Sequence, residues 1–162
     1  MSDEELMEEA RKYEQNLLNF FWRQGVSHFE GEDLVQETYL RLWSYRREYE
    51  PTAKLSTFLF LIARQVRIDA LRRQSRREQR EERWGKEQPT VQQPSAMSER
   101  EDVRWAVSQL SDPLREVVEL GVFQELPYSE VSAILGIPVG TVKSRMSNAI
   151  KKLKEVFDDQ RP

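Results

Sequence analysis

Seven side chains in the stretch Val139-Gly-Thr-Val-Lys-Ser-Arg-Met-Ser-Asn-Ala-Ile-Lys151 could bond to base edges or phosphates: Thr141, Lys143, Ser144, Arg145, Ser147, Asn148 and Lys151. Hydroxyl and amide groups donate and accept, cationic groups neutralise phosphate, and an asparagine can pair bidentately with adenine. The preceding residues explain how such a set could be presented. Val131, Ile134 and Leu135 form a short apolar face that ends at Gly136, the residue type suited to a left-handed turn, and Pro138 then opens a second helix. This is the pattern of a helix-turn-helix, which lays its second helix in the major groove. On that helix Val139, Val142, Met146, Ile150, Leu153 and Phe157 recur at three- and four-residue steps and are expected inside, with the polar residues outside. An ordinary solvated helix would carry a similar polar face, so a second signal is needed.

Two further faces lie upstream. Over residues 33–43 a wheel places Val35, Tyr39, Leu42 and Trp43 toward a core and Asp33, Gln36, Glu37, Leu40 and Arg41 on the opposite arc. A polar face interrupted by one leucine reads as a docking surface, with a solvated face as the plain alternative. In residues 55–77, Arg64 and Arg67 point away from a stripe of Leu55, Leu59, Ile62 and Val66, and Arg72, Arg73, Arg76 and Arg77 extend the positive surface.

The net charge of −3 over 162 residues conceals strong segregation. Residues 1–50 hold 6 basic and 12 acidic side chains, 51–80 hold 8 and 2, 101–135 hold 2 and 7, and 136–162 hold 6 and 3. Basic blocks can meet phosphate while acidic blocks dock on a basic partner or weaken unassisted DNA binding. With no cysteine and one histidine, a thiolate-zinc site and a Cys/His catalytic pair are excluded, and no cofactor or metal is expected. His28 is expected in a loop. No apolar run is long enough to span a bilayer, and the acidic start lacks a signal-peptide pattern, so membrane insertion is not expected and a cytoplasmic location is.

Without period-two alternation the fold class reads as all-α. A first helix is expected over 5–24, stopped by Gly25, a second over about 31–48 and a third over about 55–77. Residues 79–100 lose periodicity and gain Gln, Pro and Ser, with Trp84 as an unusual member, and read as a flexible linker. Four helices are expected after it, with Ser111 or Asp112 capping the one that Pro113 opens and that continues through Phe123. The organisation is thus two small helical domains, 1–78 and 101–162, the second containing the helix-turn-helix.

Asp33-Leu-Val-Gln-Glu-Thr-Tyr-Leu-Arg-Leu-Trp43, the stretch Ser56 to Arg73, Leu110-Ser-Asp-Pro-Leu-Arg-Glu-Val-Val118 and Val139-Gly-Thr-Val-Lys-Ser-Arg145, in this order, closely resemble the extracytoplasmic-function group of bacterial RNA polymerase sigma factors. The resemblance covers most of residues 8–157. It implies core RNA polymerase and promoter DNA as partners, with 1–78 as region 2 and 101–162 as region 4. Asp33, Gln36, Glu37, Leu40 and Arg41 would touch a coiled coil of the polymerase. Tyr49, Arg64, Gln65, Arg67, Arg72, Arg73, Arg76 and Arg77 would read and help to melt the minus-ten element, where a base leaves the stack. The seven residues from Thr141 to Lys151 would read the minus-thirty-five element. An anti-sigma protein clamped over both domains is a further partner class that the resemblance implies.

Departures bear on base preference. Gln65 stands where asparagine is more usual, Phe58 where tryptophan is common and Leu61 where arginine is common. Ser147-Asn148 replaces a histidine or aromatic residue followed by arginine, and Pro127 replaces a commoner serine. Other readings are a stand-alone helix-turn-helix regulator and a decoy that occupies polymerase without initiating. An enzyme has little support, since the carboxylates lie on charged faces with no phosphate loop, nucleophile motif or metal cluster beside them.

Overall fold

A computed structural model of the chain describes residues 1–50, 54–81 and 98–159. Among the described residues there are helices and connecting turns and no strand. They divide into two compact units, 1–21 with 27–81 and 22–26 with 98–159.

The first unit begins with α1 (Asp3–Arg11), whose start is fixed by a reciprocal cap. The Glu5 N–H donates to the Ser2 hydroxyl at 3.1 Å, and the Ser2 N–H donates to the Glu5 carboxylate at 2.9 Å. The helix expected over 5–24 is in fact two, because α1 stops and α2 (Glu14–Trp22) starts afresh. At the break the chain tightens: Lys12 N–H donates to Glu9 O at 3.2 Å and Tyr13 N–H to Ala10 O at 3.1 Å. Beyond it Tyr13 and Phe20 both meet Phe60, with ring centroids 6.5 and 5.6 Å away. Aromatic pairs of this kind contribute about 0.5–1.5 kcal/mol each beyond area burial, enough to offset the roughly 1 kcal/mol of an interrupted helical bond.

Helix α3 (His28–Tyr45) starts earlier than its apolar periodicity indicates, since the Ser27 hydroxyl accepts from Glu30 N–H at 3.2 Å and caps it. His28 is therefore the first helical residue and not a loop residue. Helix α4 (Leu55–Glu81) packs against α3 and runs four residues beyond the expected end. Leu6, Leu17, Phe21, Val35, Leu42, Leu59, Phe60, Ile62 and Val66 fill the core between these helices. Trp43 does not join them: α3 turns Gly31, Val35, Thr38 and Leu42 inward, which leaves Trp43 44% exposed under the Arg46 guanidinium, 3.9 Å above its ring.

The second unit contains α5 (Glu99–Ser108), α6 (Asp112–Val118), α7 (Tyr128–Leu135) and α8 (Val139–Asp159). Ser111 caps α6 by position, but its side chain makes no cap bond, and Asp112 pairs with Arg115 instead. After Val118 the helix widens into a π turn, Glu119–Phe123. The turn lies close on α8: a Cβ on Gly121 would come within 2.7 Å of Met146 Cε. Glu119 is buried here, accepting from Arg23 at 2.7 and 3.0 Å and from Gln124 at 3.1 Å. Burial pushes its carboxyl above the usual range while Arg23 and Gln124 oppose that rise.

The inward stripe of α8 differs from the expected one. Val142, Met146, Ala149 and Val156 are buried, whereas Val139, Ile150 and Phe157 are exposed. The centre of the stripe is thus rotated toward Ala149 and Val156 and away from Ile150 and Phe157. Of the segment expected as linker, residues 79–81 belong to α4 and 99–100 to α5. Ser98 caps α5, and residues 82–97, with Trp84, lie outside the described residues, as does Pro51.

Candidate functional site

The turn between α7 and α8 is built as its sequence predicts. Gly136 adopts φ +66°, its N–H donates to Ser132 O at 2.9 Å, and Ile137 N–H donates to the same carbonyl at 3.2 Å. The Ser132 hydroxyl reaches across to Ile137 O and closes the turn. Val131 and Ile134 are buried beneath it, so α7 supports α8 rigidly. Of the expected DNA contacts, Lys143, Ser144, Ser147, Asn148 and Lys151 are exposed on α8. Thr141 is half-buried, Arg145 is partly buried at the edge of the inward stripe, and the Ser144 hydroxyl donates to Thr141 O at 3.1 Å. At 3.6 residues per turn Ser144, Ser147, Asn148 and Lys151 centre on the side opposite Val142, together with Gly140. That face is polar and uncovered by its own unit, and Gly140 has nothing within 4 Å of a would-be Cβ.

On α4 the expected residues do not share one face. Phe58, Gln65, Arg72 and Arg76 follow each other along one side, while Arg64 lies across the helix and Arg67 lies nearly opposite Gln65. Arg67 is half-buried and shields its Nε from solvent. Arg72, Arg73, Arg76 and Arg77 are exposed on the half of α4 beyond the core-forming residues. Tyr49 lies beside Phe58, with ring centroids 5.5 Å apart and planes tilted by 39°. A pair of half-buried aromatic rings next to an exposed Gln65 and a line of arginines offers stacking, a base-edge hydrogen bond and phosphate neutralisation together.

On α3 Asp33, Gln36 and Leu40 are exposed, and Leu40 is 64% so. Glu37 and Arg41 sit at the margin of this face and bond to each other, Arg41 Nε donating to Glu37 Oε1 at 3.1 Å. Arg41 also donates through Nη1 to Asp69 Oδ2 of α4 at 2.7 Å. Burial alone would depress this guanidinium's pKa, but Asp69 and Glu37 hold it above the ordinary arginine value. Arg41 is thus largely committed within its own unit. The position of Asp69 opposite it cannot be read from either helix alone, and exposed Phe29 precedes the periodic stretch, so no spacing marks it.

Residues 10–77 match the family Sigma-70 region 2, and residues 100–153 match Sigma-70, region 4. The ECF RNA polymerase sigma factor RpoE of Cereibacter sphaeroides is 29% identical over 139 residues, covering 84% of this chain and 77% of that one. The ECF RNA polymerase sigma factor SigL of Mycobacterium tuberculosis is 32% identical over 129 residues, covering 77% and 73%. Among solved structures, RpoE from Bartonella quintana, in complex with the anti-sigma factor NepR, matches at TM-score 0.73 and 26% identity over 96% of this chain and 94% of that one. CnrH, in complex with the cytosolic domain of CnrY, shares the fold at TM-score 0.76 and 20% identity over 99% and 92%.

Proposed function

The chain belongs to the ECF RNA polymerase sigma factors, and from that premise we propose how its surfaces divide the work of promoter-specific initiation. The exposed face of α3, with Asp33, Gln36, Glu37 and Leu40, docks on core RNA polymerase, and Arg41 holds that face in place. The Tyr49–Phe58 pair, Gln65 and the α4 arginines Arg64, Arg67, Arg72, Arg73, Arg76 and Arg77 take the minus-ten element and stabilise its unstacked base. The outward face of α8 reads the minus-thirty-five element, with Asn148 in the position to pair with adenine and Lys151 on phosphate. Residues 1–78 act as region 2 and 101–162 as region 4, joined by the intervening segment. The protein performs no covalent chemistry of its own and works in the cytoplasm, where RNA polymerase does.

One observation supports this division most directly: a supported helix-turn-helix with an uncovered polar face occurs in the same chain as a region 2 match. A stand-alone regulator has no use for the second of these. An anti-sigma protein is the expected negative partner, as RpoE of Bartonella quintana is seen with NepR. The test is to compare free protein with protein reconstituted on bacterial core polymerase by footprinting and run-off transcription. A small domain with few phosphate contacts holds DNA at about 10⁻⁴ to 10⁻⁶ M. Specific protection should therefore appear only in the holoenzyme, where fixing two weak sites raises apparent affinity by about 10² to 10⁴. Nanomolar, sequence-specific protection by the free chain would overturn the proposed division.

A further inference from the structure

We infer that residues 22–26, which connect α2 to α3, are a releasable clasp on the second unit, closed in the free chain and opened when the chain takes both promoter elements. The inference rests on the two-element reading proposed above and adds a resting state to it. Arg104 of α5 donates through Nε to Trp22 O at 2.7 Å and through Nη2 to Val26 O at 3.3 Å, so one guanidinium caps the end of α2 and spans the turn after it. Gly25, at φ +89°, lets the chain turn there, and its N–H donates to the same Trp22 carbonyl at 3.0 Å. The Arg104 and Arg100 guanidiniums lie over the Trp22 ring, 4.5 and 4.6 Å from its centroid. Arg23 enters the π turn, donating to both Glu119 oxygens and lying 4.2 Å from the centre of the Phe123 ring. Trp22 and Val26 are buried, and the Arg23 and Glu119 side chains are 13% and 3% exposed.

The chemistry of these contacts suits a clasp better than a permanent core. Arg23, Arg100, Arg104, Glu119 and the backbone carbonyls they meet can all be satisfied by water once the segment leaves. A buried ion pair adds little net stability over apolar packing of the same volume, yet losing one partner is costly, so the contact favours being fully made or fully broken. Length then requires it to break. The segment continues directly into the first unit through the Phe21–Trp22 and Val26–Ser27 peptide bonds, each of which separates successive Cα atoms by only about 3.8 Å. While 22–26 stays in the second unit, that unit cannot leave the first. Helical units of about 70 residues are roughly 30 Å across, so their outermost faces then reach at most about 60 Å. The minus-ten and minus-thirty-five elements lie roughly 25 base pairs apart, about 85 Å of duplex. Once 22–26 is released, the units are joined through residues 82–97, a length of chain that can reach up to about 55 Å.

The chain contains no cysteine, so Arg23→Cys with Glu119→Cys places two unique thiols where the ion pair stood and leaves no buried charge unpaired. A short, reductant-cleavable bis-maleimide should join them in the free full-length chain, which is then mixed with purified bacterial core polymerase and promoter DNA. Run-off transcription by the joined protein should fall about ten-fold or more and return when the cross-link is cleaved. Undiminished transcription by the joined protein, a loss that cleavage does not restore, or thiols that fail to join in the free chain would each overturn the clasp. Arg104→Ala gives a second measurement that leaves the Arg23–Glu119 pair in place. By releasing part of the closed population it should bind core polymerase roughly three- to ten-fold more tightly than wild type, the opposite of what loss of a merely structural contact would do. Unchanged or weaker binding by this variant would overturn the clasp and leave the promoter reading intact. Wild type that neither binds core polymerase nor initiates would overturn the promoter reading and the inference with it.

Discussion

Arg41 of α3 reaches Asp69 of α4, Nη1 to Oδ2 at 2.7 Å, while the same guanidinium holds Glu37 at 3.1 Å. One side chain thus ties the helix proposed to dock on polymerase to the helix proposed to read the minus-ten element. The same guanidinium bonds Glu37 at the margin of the α3 face proposed for docking.

If Arg41 serves docking through this tie, Asp69→Ala should reproduce the loss of polymerase affinity caused by Arg41→Ala. A direct contact between Arg41 and polymerase would instead make Arg41→Ala the more damaging by far. Asp69 is 43% exposed, which limits the pair's contribution to stability to about 0.5–1 kcal/mol. A double-mutant cycle in urea should return a coupling of that size, and additive losses would refute the tie.

The Tyr39 hydroxyl donates to Ala10 O at 3.1 Å, and burial, aided by Glu14, pushes its pKa up to about 12. A tyrosine in the unfolded chain titrates near 10. The folded state therefore favours the protonated phenol, and its contribution is complete below about pH 10 and lost as pH rises through 12. Tyr39→Phe should cost about 0.5–1.5 kcal/mol at neutral pH. The gap between variant and wild type should shrink between pH 10 and 12 in denaturant melts, and a gap that widened would contradict the assignment.

Glu125 holds φ +55° in the turn before α7, a region costly for any residue with a Cβ. It is exposed, so glycine would relieve strain without removing packing. Glu125→Gly is expected to stabilise the second unit by about 0.5–1 kcal/mol after the greater entropy of an unfolded glycine is counted. A lower unfolding midpoint would count against strain at this turn.

Tyr49→Ala and Gln65→Ala should slow open-complex formation on duplex promoters by more than on templates whose minus-ten region is already unpaired, because the latter need no unstacking. Phe58→Ala should follow Tyr49→Ala, given their 5.5 Å ring contact. Equal defects on both templates would point to lost folding or docking.

Asn148 and Lys151 are both exposed on α8 but should behave differently. Asn148→Arg should change which bases are preferred in the upstream element. Lys151→Ala should weaken all promoters alike and lower the dependence of binding on salt by about one counterion. Selection from a randomised upstream element, read beside a salt titration, separates the two effects.

Local chemistry alone made much of this legible. Gly136 and Pro138 mark the helix-turn-helix, the missing period-two alternation points to helices, and the segregated charge singles out the basic blocks that lie in α4 and α8. These signals arise within a few residues of one another, where backbone sterics and helical periodicity govern. What the sequence alone left open was phase. Periodicity shows that α8 has an apolar stripe, but only the helices packed on it decided that Ala149 and Val156 lie inside and Ile150 and Phe157 outside. In the same way α3 turned Trp43 outward, and the contact of Tyr13 and Phe20 with Phe60 accompanied a break that no glycine or proline marks. The sequence places Arg41 on the polar docking arc, and only the packing of α4 brings Asp69, 28 residues later, to within 2.7 Å of it. A side chain's partner across two helices depends on their crossing and register, which the packing of both helices together sets and neither sequence segment contains.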